Sequence, residues 1–194
     1  MSWFDWAVLV LWIAYFPIPF FWLLVHPFTK FWRRRRARAY LGLGLLVLLA
    51  FAAAFVLTRG FWFAERLSRG FFTYALGAAL LALELVIEPK VGGALGAAIM
   101  MGRAEVDPVQ FPPRLVDTGI YARLRHPRYL GAMSFLIGLS VLAASTRLMA
   151  LAALSVPLYY LVTVFEDREL AARLGEPFLA YRKRVPRFIP RLRL

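Results

Sequence analysis

The stretch Arg123–Gly131, RLRHPRYLG, gathers three arginines, one of the chain's two histidines and a tyrosine just ahead of an apolar run. His126 precedes Pro127, whose fixed φ and missing N–H suit the first turn of a helix. A helix is therefore expected to start at Arg128–Tyr129. Its first turn would present free N–H groups and a partial positive charge, with Arg123, Arg125 and Arg128 adding to the field. That is a place for a carboxylate or a phosphate; taken alone, His126 would serve as a local cap. The other ionisable groups within or beside apolar runs are Glu84, Glu88 and the cluster Glu166, Asp167, Glu169. Such groups are costly in lipid and are functional candidates for that reason. Glu84 lies one turn before Glu88, with Pro89 and Lys90 next, and is expected to mark the end of a span.

The elements that position these residues are apolar helices. Of 194 residues, 61% are hydrophobic and 16% aromatic, well above the apolar share of a soluble domain. Runs long enough to cross a bilayer as helices fall at roughly 6–26, 40–57, 71–87, 129–144 and 148–165. Pro17 and Pro19 should kink the first. The N-terminus, MSWFDWAVLVLWIAYF, lacks the basic n-region of a signal peptide and reads as a retained first span. The absence of cysteine excludes disulfides, thiolate metal sites and cysteine nucleophiles, and no metal is expected.

The net charge is +13, and its placement follows a membrane topology rather than nucleic-acid binding. Six basic residues lie in KFWRRRRAR (30–38), six in 89–128, and eight from Arg168 onward. The two remaining loops hold four, so twenty of twenty-four fall on one side. The positive-inside rule then puts the N-terminus outside and the C-terminus in the cytoplasm. KFWRRRRAR reads as an orienting and anionic-lipid-binding segment.

The chain therefore reads as one all-α integral membrane domain, 1–194, of about five spans. The spans of 1–88 lead to a cytoplasmic connecting segment at 89–128, a helical hairpin at 129–165, and a cytoplasmic helix and tail at 166–194. In the connecting segment, Gly92/Gly96 and Gly93/Ala97 have the spacing that lets helices approach closely; this would permit a helix–helix interface and leaves the oligomeric state open. In the tail, Leu170, Leu174, Phe178, Tyr181 and Val185 form one apolar stripe, with basic residues opposite. The stripe suits a helix resting on the membrane or one folded over a site, and Gly175 and Pro177 should break it midway.

The stretch LVDTGIYARLRHPRYLG, Leu115–Gly131, resembles the isoprenylcysteine carboxyl methyltransferase superfamily of integral-membrane, S-adenosylmethionine-dependent enzymes, which includes phospholipid methyltransferase relatives. Each fixed position of L-V-x-x-G-x-Y-x-x-x-R-H-P-x-Y-x-G is met. Downstream, Glu166–Asp167, Gly175, Phe178, Tyr181 and VPRFIP (185–190) match the family's acidic pair and closing motif, so the likeness covers about the last 85 residues. It implies a cofactor pocket at the cytoplasmic end of the hairpin, with the amphipathic tail over it. The implied cofactor contacts are Leu115, Val116, Tyr121, His126, Arg128, Tyr129 and Glu166. Glu166 and His126 are the implied catalytic groups, needed as base only where the acceptor must lose a proton. The acceptor would be amphiphilic or apolar and would enter from the bilayer. Val162 stands where prenylcysteine-methylating members carry an arginine, which argues against that acceptor. LGAAI stands where relatives often have L-G-x-x-W. Two alternatives compete: an NADPH-dependent membrane reductase of the sterol-reductase type, whose RHPNYxGE element has Arg128 and Ala132 in its place here, and a non-catalytic membrane scaffold.

Overall fold

The computed structural model describes residues 1–190, with backbone alone at 36–38; positions 191–194 of the expected tail lie outside the described residues, as do the side chains of 36–38 within KFWRRRRAR. Its regular structure is helical, and the described residues contain no strand beyond an isolated Arg66–Ser145 bridge. Ten α-helices follow one another: α1 (Trp3–Tyr15), α2 (Ile18–Val25), α3 (Thr29–Leu57), α4 (Arg59–Trp62), α5 (Phe71–Leu95), α6 (Ala97–Met100), α7 (Arg103–Val106), α8 (Pro127–Ala143), α9 (Thr146–Leu174) and α10 (Glu176–Arg184).

Among the described residues, four stretches are long and apolar enough to cross a membrane: Trp3–Arg35, Ala39–Leu57, Phe71–Leu95 and Thr146–Leu174. The fifth expected span, α8, is a shorter apolar helix of 17 residues, about 25 Å long. It is the central helix of the bundle. Twelve of its residues are buried, against α5, α9 and α1. The chain breaks at Phe16–Pro17, as Pro17 and Pro19 require.

Several boundaries differ from expectation. KFWRRRRAR is not a loop. It is the first third of α3, because Lys, Arg and Ala are good helix formers and no Gly or Pro interrupts them. Helix α5 runs through Pro89 to Leu95 and stops only at Gly96, whose φ is +76°. Helix α9 likewise continues past Phe165 to Leu174, so Glu166, Asp167 and Glu169 are carried on a rigid helix rather than in a tail. The break comes at Gly175 (φ +64°), where glycine tolerates the left-handed region.

The close helix crossing is also elsewhere. Gly92 meets nothing nearer than the Met100 sulfur at 3.7 Å, and Gly93 and Gly96 face open space. The intimate contact is α5 on α8. A Cβ on Gly138 would lie 3.0 Å from the Gly77 carbonyl, and one on Gly131 would collide with the Glu84 carboxylate. Glu84 is therefore buried in this crossing and does not mark a span's end; α5 is simply longer than its apolar run.

Candidate active site

Pro127 opens α8 and His126 stands at its N-cap. The backbone of Arg125–His126 is bonded to the closing motif: Arg125 N–H donates to the Pro186 carbonyl (2.9 Å) and His126 N–H to that of Arg187 (3.2 Å). The two motifs, some sixty residues apart in sequence, thus form one unit.

His126 is buried between two carboxylates of α9. Its Nε2 lies 2.8 Å from Asp167 Oδ1 and its Nδ1 3.4 Å from Glu166 Oε2. Burial works against the charged imidazolium, but hydrogen bonds with Asp167 and Glu166 outweigh it and raise the pKa above its ordinary value. Asp167 also receives Arg187 at 2.7 Å and Arg125 at 3.3 Å. It is the anchor of the closing segment.

Glu166 turns the other way, into a cleft of about 920 Å³ counted out to its mouth. All seven expected contacts line that cleft: Leu115, Val116, Tyr121, His126, Arg128, Tyr129 and Glu166. Several of them are held by identifiable contacts. Tyr121 sits on a 3₁₀ turn, and its carbonyl accepts from the Tyr181 hydroxyl of α10 at 2.8 Å. Leu115 packs with Phe178, Tyr181, Val185, Leu170 and Leu174. The apolar stripe of the tail therefore covers the cleft wall, folded back on itself at Gly175. Arg128 NH1 donates to the Met100 carbonyl at 2.6 Å, which fixes the connecting segment against the start of α8.

Among the other residues lining the cleft that the sequence did not single out are Trp22, His26, Glu105 and Arg173. His26 is stacked on Trp22 (centroids 4.8 Å apart, 18° between planes) and its Nε2 lies 4.0 Å from Glu166 Oε2. The available signal was the repeated His-Pro dipeptide at the end of an apolar run. Arg173 bonds Glu105 and Glu169, each at 3.2 Å, and Arg33 of α3 reaches Glu169 at 3.5 Å. The Arg173 guanidinium lowers the Glu105 pKa, but burial is the larger effect and leaves it raised. Of the three clustered acids on α9, one therefore faces the cleft, one holds the C-terminal segment, and one ties α9 to α3 and α7.

The sequence model of the phospholipid methyltransferase family matches residues 72–176, just over half of the chain. Three curated relatives match parts of the chain. The nickel-cobalt-cadmium resistance protein NccN of Alcaligenes xylosoxydans xylosoxydans is 32% identical over 61% of this chain and 54% of its own length. The cobalt-zinc-cadmium resistance protein CzcN of Cupriavidus metallidurans is 38% identical over 41% of this chain and 37% of its own. Methanethiol S-methyltransferase 2 of Bradyrhizobium diazoefficiens is 40% identical over 38% of this chain and 27% of its own. The chain spans about half the length, or less, of these relatives. No solved structure matches it.

Proposed function

The chain belongs to the phospholipid methyltransferase family, and we propose on that footing that it transfers a methyl group from S-adenosylmethionine to an amphiphilic or apolar acceptor arriving from the bilayer. The observation that carries this reading is the meeting of Leu115, Val116, Tyr121, His126, Arg128, Tyr129 and Glu166 around one cleft. A relative named for methylating methanethiol supports methyl transfer as the reaction. The excess of basic residues in 30–38, 89–128 and the C-terminal segment supports a site at the cytoplasmic face, with the N-terminus outside.

The walls of the cleft fit the cofactor's charges. Among the described residues, Glu105 Oε2 and Arg173 NH1 are buried without a hydrogen-bond partner, and Glu166 Oε2 and Arg125 NH1 are met only by ion-pair contacts, with His126 at 3.4 Å and Asp167 at 3.3 Å. Unmet acceptors and donors in one enclosure suit a ligand that carries both an ammonium and a carboxylate. Trp22, Tyr121, Tyr129 and Phe178 supply aromatic faces for a purine and a sulfonium. When bound, S-adenosylmethionine supplies a methyl carbon already activated by its sulfonium leaving group. The residues of this chain have alignment and exclusion of water left to provide. Glu166 would hold the ammonium, and Arg125 and Arg173 the carboxylate. The two carboxylates favour the protonated form of His126 against its burial, and its part is to fix the Glu166 carboxylate. The α10 segment, held over the cleft through Tyr181, keeps water out.

Calorimetry on the detergent-purified protein tests the reading. S-adenosylmethionine and its demethylated product should bind saturably and NADPH should not. Glu166→Ala and His126→Ala should retain the helical signal and bind at least tenfold more weakly, since a hydrogen bond to a charged group contributes about 1.5–3 kcal/mol. Binding of NADPH alone would move the chain to the reductases. Unchanged affinity in both variants would overturn the residue assignments.

A further inference from the structure

His26 closes α2 on the wall of the cleft. Its N–H donates to the Trp22 carbonyl, which fixes its backbone, and its ring is stacked on the same tryptophan. Trp22 is in turn wedged against Gly102, where no Cβ fits. The stack grips a face of the imidazole and leaves its edge free. Both ring nitrogens are buried without a hydrogen-bond partner, and the residue is 4% exposed. Glu166 Oε2 stands 4.0 Å from Nε2, beyond hydrogen-bond reach, and is closer to His126 Nδ1, at 3.4 Å. Among the described residues, the other charged side chains lining the cleft are Glu105, Arg114, Arg125, Arg128 and Arg173. The two histidines are thus in opposite situations: His126 lies between two carboxylates, and His26 has a stacked face and a free edge. An unbonded buried polar group costs stability, so a free imidazole edge in a cleft marks a place where something binds or reacts.

We infer that His26 is the base that takes the acceptor's proton, and that the acceptor is a thiol on an apolar group. The inference rests on the methyltransferase reading and deepens it by naming a further catalytic residue and a substrate class. An imidazole with no bonded carboxylate is mostly neutral at about pH 7.5 and has a lone pair to give. A thiol, with a pKa of about 8.5, lies about two units above imidazole, close enough for proton transfer as the new bond forms. A carboxylate brings no proton at this pH. An unassisted hydroxyl holds its proton too tightly, and an ammonium would add its charge to that of the sulfonium it must approach. The step balances. The acceptor sulfur's lone pair forms the bond to the methyl carbon, the bond from that carbon to the sulfonium breaks, and its electron pair stays on the departing thioether. The S–H bond breaks towards the bare nitrogen of His26, and its electron pair stays on the acceptor sulfur. One positive charge leaves the sulfonium as one arrives on the imidazole, so the cleft keeps its net charge. The new imidazolium faces Glu166 at 4.0 Å and gives its proton to water once the product has left.

The chain has two histidines, so nitrogen-15 labelling of histidine resolves each ring by magnetic resonance, and His126→Gln identifies which is which. In the full chain at about pH 7.5, His26 should give the widely separated pair of ring signals of a neutral imidazole. The close pair of an imidazolium, locked onto Glu166, would overturn the inference. Turnover with S-adenosylmethionine and two thiols is the second test: octanethiol, protonated at this pH, and 4-nitrothiophenol, already ionised and in no need of a base. The parent protein should methylate both. His26→Gln should bind S-adenosylhomocysteine within twofold of the parent and keep KM for octanethiol within threefold. Its kcat should fall at least a hundredfold with octanethiol, as loss of a general base does, and less than fivefold with 4-nitrothiophenol. Equal losses with the two thiols, or no loss with either, would overturn the base role. No octanethiol turnover by a parent that binds S-adenosylhomocysteine would overturn the thiol class. If the parent bound no S-adenosylhomocysteine, the methyltransferase reading would fail, and the ring signals would still decide whether His26 is a free base.

Discussion

Replacing Asp167 by alanine should release the C-terminal segment from the bundle. Asp167 is 3% exposed, and its carboxylate meets His126 at 2.8 Å, Arg187 at 2.7 Å and Arg125 at 3.3 Å. Removing one partner of a buried ion pair leaves the other charges desolvated and costs about 3–5 kcal/mol. Arg187 is partly exposed and can turn to water, while Arg125 is much more enclosed and cannot. The lower end, about 3 kcal/mol, is therefore the expected loss. For a chain of 194 residues each kcal/mol moves the melting temperature by about 2–4 °C, so Asp167→Ala should melt about 6–12 °C below the parent protein. Thermal unfolding in detergent, followed by circular dichroism, measures this. Limited trypsin digestion gives a local readout: cleavage after Arg182, Lys183 and Arg184, at the end of α10, should precede cleavage elsewhere. Arg187→Ala should cost less, and the double variant less than the sum of the two, with a coupling of about 1–3 kcal/mol. An Asp167→Ala protein with the parent's melting temperature and digestion pattern would refute the anchoring role.

Two further outcomes follow from the packing and charge of α8. Gly131→Ala should destabilise the bundle by about 1–3 kcal/mol in the same unfolding assay, because its Cβ would meet the Glu84 carboxylate and lie 3.4 Å from Ile87. Glu84→Ala in the same chain should recover part of the loss, and no recovery would sink the steric account. The second outcome concerns pH. The folded-state pKa of His126 lies above its ordinary 6.5, so the stability it contributes is fully present below pH 6.5 and is lost as pH rises through the folded value. The parent's melting temperature should therefore fall, relative to His126→Gln, as pH is raised from about 6.5. Parallel curves across that window would remove the charged-histidine assignment.

Much of this was legible one residue at a time. Pro127 announced the start of α8, Gly175 announced the end of α9, and the stripe from Leu170 to Val185 announced a packed tail. These are local signals: a fixed φ, a residue that tolerates positive φ, and a 3.6-residue period. The matched motif brought six of the seven expected contacts, Leu115 to Tyr129, together before any coordinates did, because its fixed spacing already encodes a turn and a helix start.

Other features had no local signal. Pro89 and the arginines of 30–38 looked like boundaries, yet α5 and α3 run through them: α5 is held there by the packing of Ile87 and Val91 with Tyr121, and α3 by the helix propensity of its own Arg, Lys and Ala. Gly92 and Gly96 had the right spacing for a close crossing, but Gly92 meets only the Met100 side chain and Gly96 faces open space; Gly77, Gly131 and Gly138 carry the crossing. Glu84 looked like an interface residue and is buried opposite Gly131. Composition and motif by themselves determined a helical membrane protein with a charged site at one end of a hairpin. Only the tertiary structure decided what each charge does. On a helix, each residue turns by about 100° from the last, so Glu166, Asp167 and Glu169 leave α9 in three directions. Their partners, His26, Arg187 and Arg33, come from other segments of the chain, and it is the packing of those segments that gives one acid to the cleft and the other two to the frame.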